Sequence, residues 1–309
     1  MTSSVTLSQR PAFILSNIEH LVVSTYQLNS PDIRSGAIYI LSKDLQTLNV
    51  IPTTAGVFRF KWFGIDQVIC ALSDGSICII PLNGKSFDCS LPVSRNMLLD
   101  VSHFDHHAVT TDNTGYLYFV DLETSSTIGS WIAHSLPYTN TGCEVWTCAI
   151  KTCSTVACTG GEDAALRLWD IRTQSSVSQY KLYDAGVTFS DWEDENTIIS
   201  GSYDQKIRLH DIRNMKVLLK EVEINVEVLK TSGGVWNVEK TVFNNRSLYL
   251  AACMYGGWKL FNNEFNLLAE NTGAGAELLY GASLLSVKSL AYTTFNDYKV
   301  TAEPLSCPI

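Results

Sequence analysis

Two stretches, GGEDAALRLWDIR at Gly160–Arg172 and GSYDQKIRLHDIR at Gly201–Arg213, are near copies of each other 41 residues apart. Each opens on a Gly or Ser turn, reaches an Asp, alternates apolar and polar residues, and closes on an aromatic ring followed by Asp. Period-two alternation puts Leu166 and Leu168, or Ile207 and Leu209, on one buried face of a β-strand. A near copy at a fixed distance also means that the chain repeats.

Weaker copies extend the pattern in both directions. They are SGAIYIL (Ser35–Leu41), DGSICII (Asp74–Ile80), TGYLYFV (Thr114–Val120), YGGWKLF (Tyr255–Phe261) and DYKVTAE (Asp297–Glu303). Anchoring each unit on the position of Trp169 gives Leu41, Ile80, Val120, Trp169, His210, Phe261 and Glu303, in steps of 39, 40, 49, 41, 51 and 42 residues. That period is the roughly 40 to 45 residues of a four-stranded propeller blade. No segment sustains a 3.6-residue apolar period, so the expected class is all-β, a seven-bladed propeller forming one domain over residues 1–309. The ends agree: only six residues follow Glu303, Pro304 and Pro308 among them, too few for an outer strand. Ser3–Ser8 is β-prone and precedes the first unit's own strand, Ala12–Leu15, so it is expected to complete the seventh blade, close the ring and remove the exposed edge.

Composition narrows the function. The 309 residues are 46% hydrophobic and 10% aromatic, enough for a large core, which excludes disordered and fibrous classes. A net charge of −9 argues against nucleic acid as a partner. No apolar run approaches a bilayer span and Met1–Arg10 lacks signal-peptide character, so a soluble, cytoplasmic chain is expected. The nine cysteines are odd in number and sit in apolar runs, which suits reduced thiols. Cys143, Cys148, Cys153 and Cys158 are spaced by five, unlike the close pairs of zinc sites, and odd spacing on strands sends successive thiols to opposite faces; no metal is expected. Gly-x-Ser-x-Gly, Gly-x-Gly-x-x-Gly, the phosphate-binding loop and His-Glu-x-x-His are all absent from the sequence.

The repeats resemble the WD-repeat family. The resemblance implies, within a blade, a hydrogen-bonded set of a His before the first strand, a Ser or Thr on the second, an Asp in the following turn and the closing Trp. His134, Thr159, Asp163 and Trp169 match it in unit four. In unit five Ser200 and Asp204 match, His210 replaces the Trp, and Tyr183 or Asp184 stands where the His would be. Units one, three and six lack the turn Asp and need other packing.

Candidate chemistry follows from the same register. The run HFDHH, with His103, Asp105, His106 and His107, falls in a turn between the first two strands of blade three and reads as solvated. The starts of the first strands, by contrast, ring the channel of a propeller: AGVFR (Ala55–Arg59), CEVW (Cys143–Trp146), AGVTF (Ala185–Phe189), GGVW (Gly233–Trp236) and LLYGA (Leu278–Ala282). They bring Trp146, Trp236, Tyr280, Glu144 and Arg59 to one mouth, where aromatic faces beside an acid suit a quaternary ammonium.

More specific strings are similar to the diphthine methylesterases, WD-repeat proteins of diphthamide biosynthesis. These are HLVVSTYQL (His20–Leu28), WIAH (Trp131–His134) followed by EVW, TIISGSYDQKIRLHDIRNMK (Thr197–Lys216), GGVWNVEK (Gly233–Lys240), LYLAACMYGGWKLF (Leu248–Phe261) and LLYGA. The resemblance implies hydrolysis of the methyl ester of methylated diphthine on elongation factor 2, with that protein as partner, no cofactor, and a monomer. Glu144 is then the first candidate for base or ammonium contact, His134 the second base, Cys253 a candidate nucleophile, and the N–H groups of Gly233 and Gly234 candidate oxyanion donors. Trp146, Trp236, Tyr280 and Arg59 are the expected substrate contacts, Trp236 as a channel-mouth ring that carries little blade packing; the alternative is that Trp146 and Trp236 only plug the channel. The rival expectation is a scaffold or trimethylammonium-binding adaptor that turns nothing over.

Overall fold

The alternating strands form as their pattern dictates. A computed structural model describes residues 2–31, 33–84, 90–139, 141–152, 155–224, 233–243 and 246–305. Among them are strands, two single turns of 3-10 helix and no α-helix. Seven antiparallel sheets follow one another along the chain, each built on a four-strand meander, and the class is the seven-bladed β-propeller expected from the repeats. Blade four is Thr147–Ile150, Val156–Gly160, Leu166–Asp170 and Ser175–Tyr180. Blade one carries an additional short strand, Gln27–Ser30, on Ile33–Leu41. Two compact units result: Met1–Val57, Leu82–Ser86 and Ile224–Ile309 make one, and Phe58–Pro81 with Phe87–Glu223 make the other.

The first unit holds blades one, six and seven. Here Ser3–Thr6 pairs antiparallel with Lys299–Pro304, Ser3 opposite Ala302 and Thr6 opposite Lys299, so the N-terminal strand is the outer strand of the last blade. One apolar cluster joins blades seven and one through Ile14, Leu21, Leu41 and Val300; a second joins six and seven through Leu250, Leu260, Leu279 and Leu290. Glu239, on the first strand of blade six, accepts from Ser283 Oγ and the Leu284 N–H of blade seven at 3.0 Å each. Burial pushes its carboxyl up to about 7 against these two donors and Lys43. Glu303, at the register of the motif Trp, accepts at 2.6 Å from the indole of Trp258 in blade six.

The second unit holds blades two to five, with clusters between each neighbouring pair. Second strands such as Thr197–Ser202 are buried at every residue, whereas the outer Ser126–Ile132 is largely exposed. In blade four the Trp169 indole N–H donates to Thr159 Oγ1 at 2.8 Å, and Thr159 lies 2.8 Å from His134 Nε2. His134 Nδ1 lies 2.7 Å from Asp163 Oδ1, and Arg167 pairs with the other carboxylate oxygen at 2.7 Å. The indole N–H is the fixed donor to the Thr159 hydroxyl, and Arg167 Nη1 also approaches His134 Nδ1 at 2.5 Å, so both ring nitrogens of His134 are engaged inside the blade. Burial holds the His134 pKa below its ordinary value even beside Asp163, so the ring is neutral.

Blade five repeats the device with different side chains. Tyr183, not Asp184, fills the His position: its hydroxyl lies 2.7 Å from Ser200 Oγ and 2.8 Å from His210 Nε2. Asp204 pairs with Arg208 at 2.8 Å, and that guanidinium stacks 4.5 Å from the centre of the Tyr183 ring. Blade three, without the turn Asp, uses the buried Asp112 instead, which accepts from Tyr118 Oη at 2.8 Å and from the N–H groups of Thr114 and Tyr116.

The His210 ring sets a measurable acid limit. Burial, then Arg208, pushes its pKa down to about 3. A depressed folded pKa means that the unfolded chain takes up the proton first, so stability falls from about pH 6.5 toward pH 3. At pH 5 the loss from this ring is about 2 kcal/mol. Urea unfolding of the wild type and of His210→Phe at pH 7 and pH 5 should show the difference between them moving by that amount in favour of the variant at pH 5.

Candidate functional site

In the second unit, residues 144–146 lead into the first strand of blade four and are fixed by their own backbone. The Glu162 N–H donates to Glu144 O at 2.9 Å, and the Val145 N–H to Asp112 O at 3.2 Å. The Trp146 indole N–H donates to Glu144 Oε2 at 2.7 Å, so the carboxylate is held against the ring system. The Tyr203 ring meets Trp146 edge-on, centroids 5.1 Å apart and planes at 82°. Gly186 makes room for the indole, since a Cβ there would stand 2.3 Å from Trp146 Cζ3. Burial, and then the charge of Glu144, raises the Tyr203 pKa and keeps the phenol protonated. Glu144 and Trp146 are half-buried, and the corner presents a carboxylate and two aromatic rings together.

Two expected site residues of this unit have other roles. Arg59 is not at a mouth: it is 3% exposed, its Nη1 lies 3.5 Å from Asp100 Oδ2, and its Nη2 donates to Thr188 O at 2.8 Å. A guanidinium committed to the first strands of blades three and five is an internal strut, because a charge so buried needs fixed partners. His134, 1% exposed, has both ring nitrogens occupied by Asp163 and Thr159 and has none left for a substrate proton.

In the first unit, Trp236 and Tyr280 do meet, with ring centroids 4.9 Å apart, and Tyr280 in turn meets Phe295 at 5.3 Å. Trp236 is 4% exposed, however, so it is packed in rather than displayed, contrary to the sequence expectation. The Trp236 N–H donates to Ala252 O at 2.8 Å, and just ahead of it Gly233 lies against the Cys253–Tyr255 turn, where a Cβ would come within 2.5 Å of Met254 Cβ and Tyr255 N. Gly234 is buried beside it. Cys253 lies just past the strand Arg246–Ala252, fully buried, and burial pushes its thiol up to about 12, which leaves no thiolate to attack an ester.

Sequence reasoning missed three rings and one cation. Tyr203, Phe295 and Tyr298 sit in turns between second and third strands, and Arg10 stands directly before the first strand of blade one, the register that Trp146 and Trp236 occupy in theirs. The repeat alignment carried the signal for Arg10, but unit one was read from Ala12 onward. In HFDHH, His103 lies 2.7 Å from Trp62 O while His106 pairs with Asp105 at 3.0 Å. Among the described residues no group of three or more His, Cys, Asp or Glu is placed to hold a metal ion, and no helix is long and apolar enough to cross a membrane. The six cysteines among them are buried and unbridged; Cys153 lies outside the described residues.

No protein-family model matches the chain. It is 31% identical to the human (Homo sapiens) diphthine methyltransferase over 162 residues, 50% of this chain and 32% of that protein. It is 23% identical to the diphthine methyltransferase homolog of Dictyostelium discoideum over 247 residues, 75% of this chain and 51% of that protein. A match at 29% to human WD repeat-containing protein 37 covers 54% of this chain and 34% of that one. The shared stretch thus spans about a third to a half of these curated relatives. A chain in a crystal structure of the mitotic checkpoint complex superposes with a TM-score of 0.77 over 98% of this chain and 91% of its own, at 13% identity, a likeness of fold alone.

Two substitutions separate the roles. Gly186→Ala should displace the Trp146 ring, removing from the near-ultraviolet circular dichroism the component that Trp146→Phe also removes, at a cost of about 1 kcal/mol. Trp236→Ala should lower unfolding stability by about 3 kcal/mol, the cost of an emptied aromatic site; a fully stable Trp236→Ala protein would return Trp236 to the surface.

Proposed function

We propose that this protein hydrolyses the methyl ester of methylated diphthine, the modified histidine of elongation factor 2, and so acts in diphthamide biosynthesis. The observation that carries the reading is the Glu144–Trp146–Tyr203 corner, where a carboxylate is held at 2.7 Å on an indole with a second ring 5.1 Å away. Methylated diphthine carries a trimethylammonium group. Such a cation gains from ring faces and from a neighbouring carboxylate together, by about 1 to 2 kcal/mol for the rings alone once water is excluded. The matches to proteins named diphthine methyltransferase support the pathway. Their name describes methyl transfer on diphthine; hydrolysis is the reverse sense, in which water attacks the ester carbonyl and methanol leaves.

Glu144 serves this reaction in one of two ways. As a general base it takes the proton of the attacking water; as an anchor it neutralises the ammonium and aligns the ester. The split between kinetic parameters assigns the role. In Glu144→Gln, a base shows as a kcat loss of roughly 100-fold or more with KM little changed, and an anchor as a raised KM. The match to WD repeat-containing protein 37, whose name carries no reaction, favours a second reading, a docking propeller that holds the modified loop without turnover.

One experiment divides the readings. Purified protein is incubated with elongation factor 2 carrying the methylated ester, and the modified peptide is weighed by mass spectrometry. A loss of about 14 Da per molecule is expected. A gain of one methyl on diphthine with an added methyl donor would make the protein a transferase, and an unchanged mass with retained binding would make it a docking module.

A further inference from the structure

Within the second unit, the chain between blades three and four forms a small hairpin that runs directly into the Glu144 corner. Its stem is closed by the antiparallel bridge between Ser135 and Gly142, by the Leu136 N–H on Thr141 O at 2.9 Å, and by the Cys143 N–H on His134 O at 3.3 Å. Gly142 seats the stem against blade three, because a Cβ there would collide with Thr114 O. The turn of the hairpin displays Tyr138 at a double cost. Its ring is fully exposed, and its backbone is left-handed, with φ at 73°, where bulky side chains seldom sit. Trp169, Tyr180 and Tyr183 of the same unit are buried by contrast. Glu144 follows Tyr138 by six positions, so the ring stands at most about 20 Å from the corner. The charges on offer there are acidic: Glu144 and Glu162, joined by the Glu162 N–H on Glu144 O, hold no cation among the described residues, and Arg167 of the same blade is committed to Asp163.

We propose that Tyr138 is a docking residue for the protein that bears the modified histidine. A basic segment of that protein, beside the modified residue, packs on the Tyr138 ring while the quaternary ammonium enters the Glu144–Trp146–Tyr203 corner. The identity of the partner rests on the diphthine reading. A carboxylate and two rings recognise an ammonium but not the chain that carries it, so selecting one protein needs a second contact at peptide distance. A span of about 20 Å is that of roughly six extended residues. A tyrosine on a turn already ordered offers a large contact area at little entropic cost, which is why such rings recur as hot spots of protein interfaces. The unspent carboxylates of Glu144 and Glu162 favour a basic segment and repel an acidic one.

The test compares a large and a small ligand on the full chain. Elongation factor 2 carrying the methylated ester is one; betaine methyl ester, which has the trimethylammonium but no peptide, is the other. Tyr138→Ala should weaken binding of the factor by roughly tenfold to thirtyfold and leave the small ester unchanged. Tyr138→Phe, which keeps the ring, should retain most of the wild-type affinity. Added salt should weaken the factor's binding to the wild type, and an affinity indifferent to salt overturns the basic character of the segment. Wild-type affinity of Tyr138→Ala for the factor, an equal loss on both ligands, or no binding of the factor by the wild type overturns the docking residue. The ring lies in water, so the melting temperature of Tyr138→Ala should not change, and that certifies its fold. Binding that depends on Tyr138 with no methyl lost sinks the hydrolase reading and leaves the docking residue standing. Methyl loss by Tyr138→Ala at the wild-type kcat/KM does the reverse.

Discussion

The second strands of the blades are buried along nearly their whole length, and that constraint governs where polar groups can go. In Leu21–Thr25 or Thr197–Ser202 every residue is out of water, so a hydroxyl or ring nitrogen there has only protein to pair with. The answer in blade four is a chain of hydrogen bonds linking Trp169, Thr159, His134 and Asp163. Blade five reaches the same end with Tyr183, Ser200 and His210, an exchange of aromatic and imidazole between the two ends of the chain. Blade three moves the acid two residues toward the second strand, to Asp112. The family-like motif is thus one of several ways to pair the buried polar groups of a second strand, and the pairing is not complete: Ser24 Oγ and His210 Nδ1 are buried without a hydrogen-bond partner among the described residues.

The same requirement explains the charges of the interior. Arg59 and Asp100 are both nearly inaccessible, and each is satisfied more than once, Asp100 accepting also from the Cys148 N–H at 3.0 Å. Replacing one member would leave the other charged and alone, which costs more than the pair contributes. Glu144 differs in kind: it holds an indole proton with one oxygen in a half-buried setting, where a charge can meet a ligand. The difference is one of exposure, because both are carboxylates.

The fold was legible because its signal is periodic. Strand alternation, the spacing of Trp169 and its equivalents, and the shortage of residues after Glu303 all follow from backbone geometry, and none depends on which side chains touch. The site was legible only by position. Register put Trp146 and Glu144 at the start of a strand, where their side chains meet, but it set Arg59 beside them although Arg59 lies within its own strand and is buried. It put Trp236 at the channel mouth, whereas the ring is packed in, and it offered as a candidate nucleophile Cys253, which burial silences. For Arg10 the register marks the place, directly before a first strand, but not the surroundings: nothing in the sequence says that two rings, 285 and 288 positions away, will lie against it. Contacts of that range depend on the assembled blade, and a linear pattern cannot encode them.

The outer strand of blade seven carries a kinetic consequence. Ser3–Thr6 leaves the ribosome long before Lys299–Pro304, so during synthesis the edge it will cover does not yet exist. Closing a loop of nearly 300 residues adds little to the equilibrium cost, since that cost grows only with the logarithm of length, but it is the slowest kind of contact to form. Until then a short strand with free backbone donors and the bare edge of Lys299–Pro304 are both open to other chains, which makes this seam the point where nascent copies would exchange strands.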